Sequence, residues 1–219
     1  GIALDVARRR AFISDGGNHR ILVFDIHRER LENGASAIAV IGQPNFSMKE
    51  PRLAADGLNS PGHLAYDGNH DRLFAVDNRN HRVVVFNVAP ARMKNGMSAE
   101  RVIGQPDFTT TTPAAEQRGD GEIINEKRFV SPNGVAYDSA RDRLYVADQG
   151  NDRVMVFDVA PDQFVNHPSA VAQACPPREE TAAVFPLDRL HNLCSAVARP
   201  VPPRGLDQRD EEGDLARPA

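Results

Sequence analysis

The sequence predicts an all-β fold, a β-propeller of four-stranded antiparallel blades with about three blades present. Three observations predict it. The chain repeats itself: "SDGGNHRILVFD" (14–25) returns as "VDNRNHRVVVFN" (76–87) and "ADQGNDRVMVFD" (147–158), with Asp15, Asp77 and Asp148 at offsets of 62 and 71 residues. Each copy carries short apolar pieces in the same order. The pieces are too short for helices, rich in Val, Ile, Leu, Phe and Tyr, and bounded by Gly, Pro, Asn and Asp, which is the composition of strands.

The first strand of each copy reads "GIALD" (1–5), "GHLAYD" (62–67) and "GVAYD" (134–138), and the second "RAFISD" (10–15), "RLFAVD" (72–77) and "RLYVAD" (143–148). The third reads "RILVFD" (20–25), "RVVVFN" (82–87) and "RVMVFD" (153–158). A fourth, "AIAVIGQPNF" (37–46), recurs as "AERVIGQPDF" (99–108). The third strands are apolar at nearly every position instead of alternating, which a strand covered on both faces requires. Sheets stacked face to face around an axis satisfy that requirement and hide their edges, whereas a two-sheet sandwich is the plainer alternative.

Each second and third strand joins through four residues, "GGNH", "NRNH" or "QGND", a length suited to hairpins. Asp15 and Arg20, Asp77 and Arg82, and Asp148 and Arg153 then face each other across the mouth of the turn, a pairing that contributes roughly 0.2 to 1 kcal/mol in a sheet. Asn18, Asn80 and Asn151 fall where the loop reverses, and Asn tolerates the left-handed conformation. This motif reads as structural before it reads as functional.

Composition excludes several function classes. A net charge of -4 and a pI near 6.0 leave no basic footprint for nucleic acid. The chain also lacks a run of 18 apolar residues that could span a bilayer. Its two cysteines, Cys175 and Cys194, lie in the last quarter, so the repeats hold neither a disulfide framework nor a thiolate metal site. Compartment stays open: the chain starts inside a repeat, and secretion or periplasmic export would need a leader upstream of Gly1.

With the four strands and the Asp-x-x-Asn-[His/Asp]-Arg hairpin in three copies, residues 1 to 166 resemble the NHL repeat, a family named for an Asn-His-Leu run that here reads Asn-His-Arg or Asn-Asp-Arg. The resemblance implies a β-propeller, most often six-bladed, and the "VIGQP-[ND]-F" strand is similar to that of bacterial members of unassigned role. Blades are expected at about 1–46, 61–108 and 132–166. The pattern breaks after Asn166, and residues 167–219 hold eight of the sixteen prolines and no lysine, so a disordered or out-of-frame tail is expected there. Three blades of a six-blade ring would leave two sheet faces bare, and self-association through them is the expectation.

Strand alternation puts the hairpins and the inter-blade connections 47–61 and 109–132 on one face, where long loops commonly carry function. His19, Lys49, Arg52, Arg79, His81, Gln149 and Asp152 are the candidate binding rim. His19, His81 and Asp152 would make a chemically reasonable zinc set, but repeat-equivalent side chains spread around a rim, so no metal and no cofactor is assigned. Asp5, Asp67 and Asp138 end the first strands, where a turn accounts for them, and nothing pairs with them as a nucleophile or base. The expected function is a binding or scaffold module for a protein, peptide or glycan. The alternative, which the propeller resemblance implies, is a fragment of a hydrolase or lyase of the gluconolactonase, strictosidine-synthase or amidating-lyase kind with its catalytic residues in missing blades, so that no catalytic residue is assigned here.

Overall fold

Within the residues that the structure describes, 1–30, 32–112 and 126–174 of a computed structural model, the strands form three four-stranded antiparallel meanders. The first contains β1 (Ile2–Asp5), β2 (Arg10–Asp15), β3 (Arg20–Asp25) and β4 (Ala39–Ile41); the second contains β5 (Pro61–Asp67), β6 (Arg72–Asp77), β7 (Arg82–Asn87) and β8 (Arg101–Ile103). The third contains β9 (Gly134–Asp138), β10 (Arg143–Asp148), β11 (Arg153–Asp158) and β12 (Ala172–Ala174). The described residues form a partial propeller of three blades.

One strand lies beyond the point where the sequence pattern breaks. β12 pairs with β11 through Val154↔Ala174, Met155↔Gln173 and Val156↔Ala172, past the expected stop at Asn166. "NHPSA" (166–170) keeps the Asn and the Ser-Ala of "NGASA" (33–37) and "NGMSA" (95–99), while Ala-Gln-Ala replaces the apolar Ala-Val-Ile and Arg-Val-Ile of β4 and β8. An edge strand is held by ladder hydrogen bonds that do not depend on its side chains, so the apolar signature was lost while the strand remained. The rest of the expected tail, with Cys175 and Cys194, lies outside the described residues, as do positions 113–125 of the second connection.

Register sorts each strand into two faces. The front of the first sheet, with Ala3, Phe12, Ile21, Val23, Ala39 and Ile41, packs on the back of the second, with Leu64, Leu73, Ala75, Val84, Phe86 and Val102. The front of the second, with Ala65, Phe74, Val76, Val83, Val85 and Ile103, packs in the same way on Leu144, Val146, Met155 and Phe157 of the third. Even the ring contacts repeat: Phe12 meets Tyr66 at 5.7 Å, and Phe74 meets Tyr137 at 5.5 Å.

Among the described residues only the middle sheet is covered on both faces. Its β7 is buried from Arg82 to Phe86, whereas β3 and β11 alternate, although all three strands are equally apolar. Ile2 and Leu4 on the back of the first sheet are 65% and 51% exposed, and Tyr145 and Val154 on the front of the third are 37% and 38% exposed. Among the described residues, these are the two faces with no sheet packed on them.

The paired charges across each hairpin close as the spacing requires. Asp15↔Arg20, Asp77↔Arg82 and Asp148↔Arg153 are directly opposed in the ladders, with Nε to Oδ2 distances of 2.8, 2.7 and 2.8 Å. Burial separates them: the Asp77–Arg82 pair is wholly out of solvent, while Arg20 and Asp15 are partly exposed. Arg82 also donates to the carbonyls of Phe108, Ala54 and Gly57, tying the segments on either side of its sheet to one guanidinium. Removing one partner of a buried pair leaves an uncompensated charge. Arg82→Ala should therefore cost about 3 to 5 kcal/mol, and Arg20→Ala at the partly exposed end about 1 kcal/mol or less. Urea unfolding of the two variants checks the order, and equal losses would show that burial does not set the strength of these pairs.

Candidate functional site: the hairpin rim

The hairpins and the inter-blade connections meet at one end of the sheets, as strand alternation requires. Asn80 donates its side-chain amide to the Arg52 carbonyl at 3.1 Å, the Arg79 amide donates to Asn59 O, and Asn78 donates to Pro132 O of the next connection. Gln43 and Gln105, fully buried at the ends of the fourth strands, reach from the carbonyls of His19 and His81 to those of Glu50 and Thr112. The rim thus has a fixed floor, made of polar side chains that bond backbone.

Local geometry assigns the turn residues differently from the sequence. Each loop is a 3-10 turn, Gly16–Asn18, Asn78–Asn80 or Gln149–Asn151, and the left-handed residue follows it: His19, His81 and Asp152 have φ of 54, 52 and 50°. Asn18, Asn80 and Asn151 instead turn inward and donate to the carboxylates of Asp15, Asp77 and Asp148. His and Asp, like Asn, enter the left-handed region more readily than other residues, so the reversal moves one place along.

The two histidines join blades. His19 Nδ1 accepts the Ser60 amide at 3.0 Å, and His81 Nδ1 accepts the Ser131 amide at 2.9 Å, each bond running from one sheet to the segment entering the next. They serve successive interfaces, each with its own backbone partner. The repeated Ser-Pro at 60–61 and 131–132 was visible in the sequence, but its link to the histidine needed the third dimension.

The remaining rim candidates divide by exposure. Lys49, Arg79, Gln149 and Asp152 are exposed, whereas Arg52 is held by a two-pronged ion pair to Asp56 at 2.9 and 3.0 Å. This leaves Lys49, Arg79, Gln149 and Asp152 as the side chains that project above the bonded floor.

At the opposite end, the first-strand acids cap turns. Asp5 accepts the Arg8 amide, Asp67 the Asn69 amide and Asp138 the Ala140 amide, and each carboxylate pairs with arginine: Asp5 with Arg10, Asp67 with Arg72, Asp138 with Arg141. Arg10 and Arg72 then donate across the interface to the carbonyls of Val88 and Val159. Burial raises the Asp67 carboxyl, but hydrogen bonds from Arg72 and His70 together with their charges outweigh it and hold the group below the usual carboxylate range; Asp5, beside Arg10 and Arg8, behaves alike. Asp67, His70 and Asp142 offer ligand atoms within 4.8 Å of one another, yet Arg72 stands among them, 2.7 Å from Asp67 and 3.8 Å from Asp142. A guanidinium already supplies the charge that a bound metal would bring, so this is an ion-pair cluster.

Neither a family model nor a curated protein matches the chain. Solved structures do. A nidogen/laminin complex aligns at 19% identity over 79% of this chain and 47% of that one, with a TM-score of 0.45. A candidate 6-phosphogluconolactonase from Bacteroides uniformis aligns at 15% identity over 80% and 40%, with a TM-score of 0.48. An auxiliary nutrient binding protein from Bacteroides thetaiotaomicron aligns at 15% over 70% and 35%, with a TM-score of 0.45. The chain spans less than half the length of each. No helix among the described residues is long and apolar enough to cross a membrane.

Two outcomes follow from this geometry. His81→Ala leaves the Ser131 amide without its acceptor, an unmet bond that costs about 1 to 3 kcal/mol, and hydrogen exchange at Ser131 should accelerate accordingly; unchanged exchange would remove the histidine from the interface. Asp5 and Asp67, depressed in the folded state, stabilise it above their unfolded value of about 3.9 and lose that contribution as pH falls through the folded value. Burial pushes Asp77 and Asp148 upward against the pull of arginine, giving a slope of opposite sign. The comparison is therefore between proteins: Asp67→Asn should show a shallower loss of urea stability below about pH 4 than the wild type.

Proposed function

We propose that the chain is an NHL-type propeller module that binds a protein, peptide or glycan on the hairpin rim, acting as a binding or scaffold element. The observation that carries this reading is the division of labour at that rim. Asp, Asn, Arg, His and Gln side chains beneath it are spent on backbone and on one another, and Lys49, Arg79, Gln149 and Asp152 stand exposed above them. A rigid base carrying a mixed set of exposed polar groups is what a recognition surface needs, because little side-chain and loop ordering is left to be done on binding. Within these three blades the first-strand acids are committed to arginine partners and turn amides, so the hydrolase or lyase alternative would draw its catalytic residues from blades beyond them.

The test is a peptide and glycan array probed with the wild type, followed by titration of whatever binds. Arg79→Ala and Lys49→Ala should each weaken that ligand by about threefold to tenfold at unchanged melting temperature, the size expected of polar rim contacts. Arg141→Ala, at the far end of the sheets, should leave affinity as it was. Loss with Arg141→Ala and none with Arg79→Ala would place the ligand elsewhere.

A further inference from the structure

The connection between β7 and β8 differs in charge from its counterparts in the other two sheets. The repeat offsets put Asn87 in the place of Asp25 and Asp158, each the last residue of a third strand. In the first sheet that carboxylate holds a cation of the connection, with Asp25 Oδ2 accepting from Arg30 Nη1 at 2.8 Å. In the third sheet Asp158 pairs with Arg143 and accepts the Ala160 amide. Asn87 keeps only the turn bond: its Oδ1 accepts the Ala89 amide at 3.2 Å, and it brings no charge.

Arg92, the counterpart of Arg30, is kept even so, and Lys94 stands where the siblings have Glu32 and Val165. Both are exposed, and neither forms an ion pair among the described residues. Ala91 in turn replaces Glu29 and Asp162. At equivalent places the first connection therefore sets Asp25, Glu29 and Glu32 against Arg30, and the third offers Asp158 and Asp162 with no cation, whereas the second sets Arg92 and Lys94 against Glu100. The sign of the local charge is reversed. Two cations on one short turn repel each other until a counter-charge joins them.

These side chains line a cavity of about 240 Å³ whose frame is fixed. Met97 in its wall is buried in the core between the first two sheets. The Arg92 and Met93 amides both donate to Ala89 O, and Asn95 Oδ1 and Gly96 N hold the Val40 amide and carbonyl at 3.0 and 3.1 Å. Because a backbone amide occupies Asn87 Oδ1, Nδ2 is the atom left to donate. Guanidinium, ammonium, the Ser98 hydroxyl and the Asn87 amide group thus offer donors and two positive charges to one small space, which suits a phosphate. Glu100, the one carboxylate in the lining, suits a hydroxyl on whatever carries that phosphate. Drug-sized ligands fill roughly 300 to 1,000 Å³, so the occupant is smaller than those.

We propose that the β7–β8 connection binds the phosphate monoester of a small hydroxylated molecule, with Arg92 and Lys94 on the phosphate, Ser98 and Asn87 completing its hydrogen bonds, and Glu100 accepting a hydroxyl of the carrier. Asn87 is the residue that opens the site, since a carboxylate there, as in the sibling sheets, would take Arg92 for itself. The cavity lies at the opposite end of β7 from the Asn78–Asn80 turn, so this proposal and the rim ligand stand or fall separately.

The experiment is titration of the nitrogen-15-labelled full chain with glycerol 3-phosphate, inorganic phosphate, glycerol or sodium chloride at matched ionic strength, read by amide shifts and calorimetry. Glycerol 3-phosphate should saturate shifts within 87–100 and bind more tightly than inorganic phosphate, and Glu100→Gln should remove that preference. Arg92→Ala, Lys94→Ala and Asn87→Asp should each weaken binding by about tenfold, the loss expected when a charge-assisted bond to phosphate goes. Arg28→Ala, an exposed cation of the first connection, should leave affinity as it was. Arg92 and Lys94 are exposed, so their variants decide the matter if Asn87→Asp disturbs its turn. No saturable shift within 87–100, the same shifts with sodium chloride, shifts confined to 78–80 on the rim, or full affinity in the Arg92 and Lys94 variants would each overturn the proposal.

Discussion

The Asp77–Arg82 pair is the constraint on which the middle of the molecule depends. An ion pair with neither side chain exposed is expensive to form, and it persists only if every remaining donor and acceptor is met. Asp77 meets Arg82 Nε, the Asn80 amide group and the Asn59 backbone amide, while Arg82 spends its other nitrogens on three carbonyls. Those carbonyls and that amide belong to connections that have no regular structure of their own. The pair therefore gives irregular backbone a fixed place to bond, and the rim inherits its shape from a charge pair placed at the mouth of a two-stranded turn.

The same logic, weaker at each end, runs through the copies. Asp148 and Arg153 are nearly as buried as the middle pair, and Arg153 reaches Arg128 O just as Arg82 reaches Ala54 O. Arg20, more open, reaches Phe46 O. Around these anchors the interfaces reproduce one another in detail: His to a Ser amide, Arg to a Val carbonyl, and an Asn side chain accepting the amide of Val40 or Val102. A unit that makes the same bonds to each neighbour draws its stability from nearest-neighbour contacts, as repeat architectures do.

How much of this the sequence made legible follows from what repeats and what does not. Strand identity, pairing of Asp with Arg and the shared rim were readable because periodicity and spacing encode them within one copy. The bonds between copies were not. His19 and His81 looked like rim ligands because a sequence shows the residue but not the amide 41 or 50 positions away that it accepts. Asn18 looked like the turn residue because Asn tolerates φ above zero, yet a nearby carboxylate drew it inward and the reversal fell to His19. β12 escaped notice because an edge strand can lose its apolar residues and keep its ladder.

The interfaces also share a polarity. Front packs on back, never front on front, so the contact is head-to-tail and contains no symmetry axis that would end it. Such a surface counts by addition. Inserting or deleting one unit of about sixty residues leaves every surviving interface chemically unchanged, because each new back meets the front that an old back had met. Copy number is thus the cheapest quantity for this architecture to vary, and the curvature accumulated from sheet to sheet, rather than any one contact, sets how many copies a closed ring would hold.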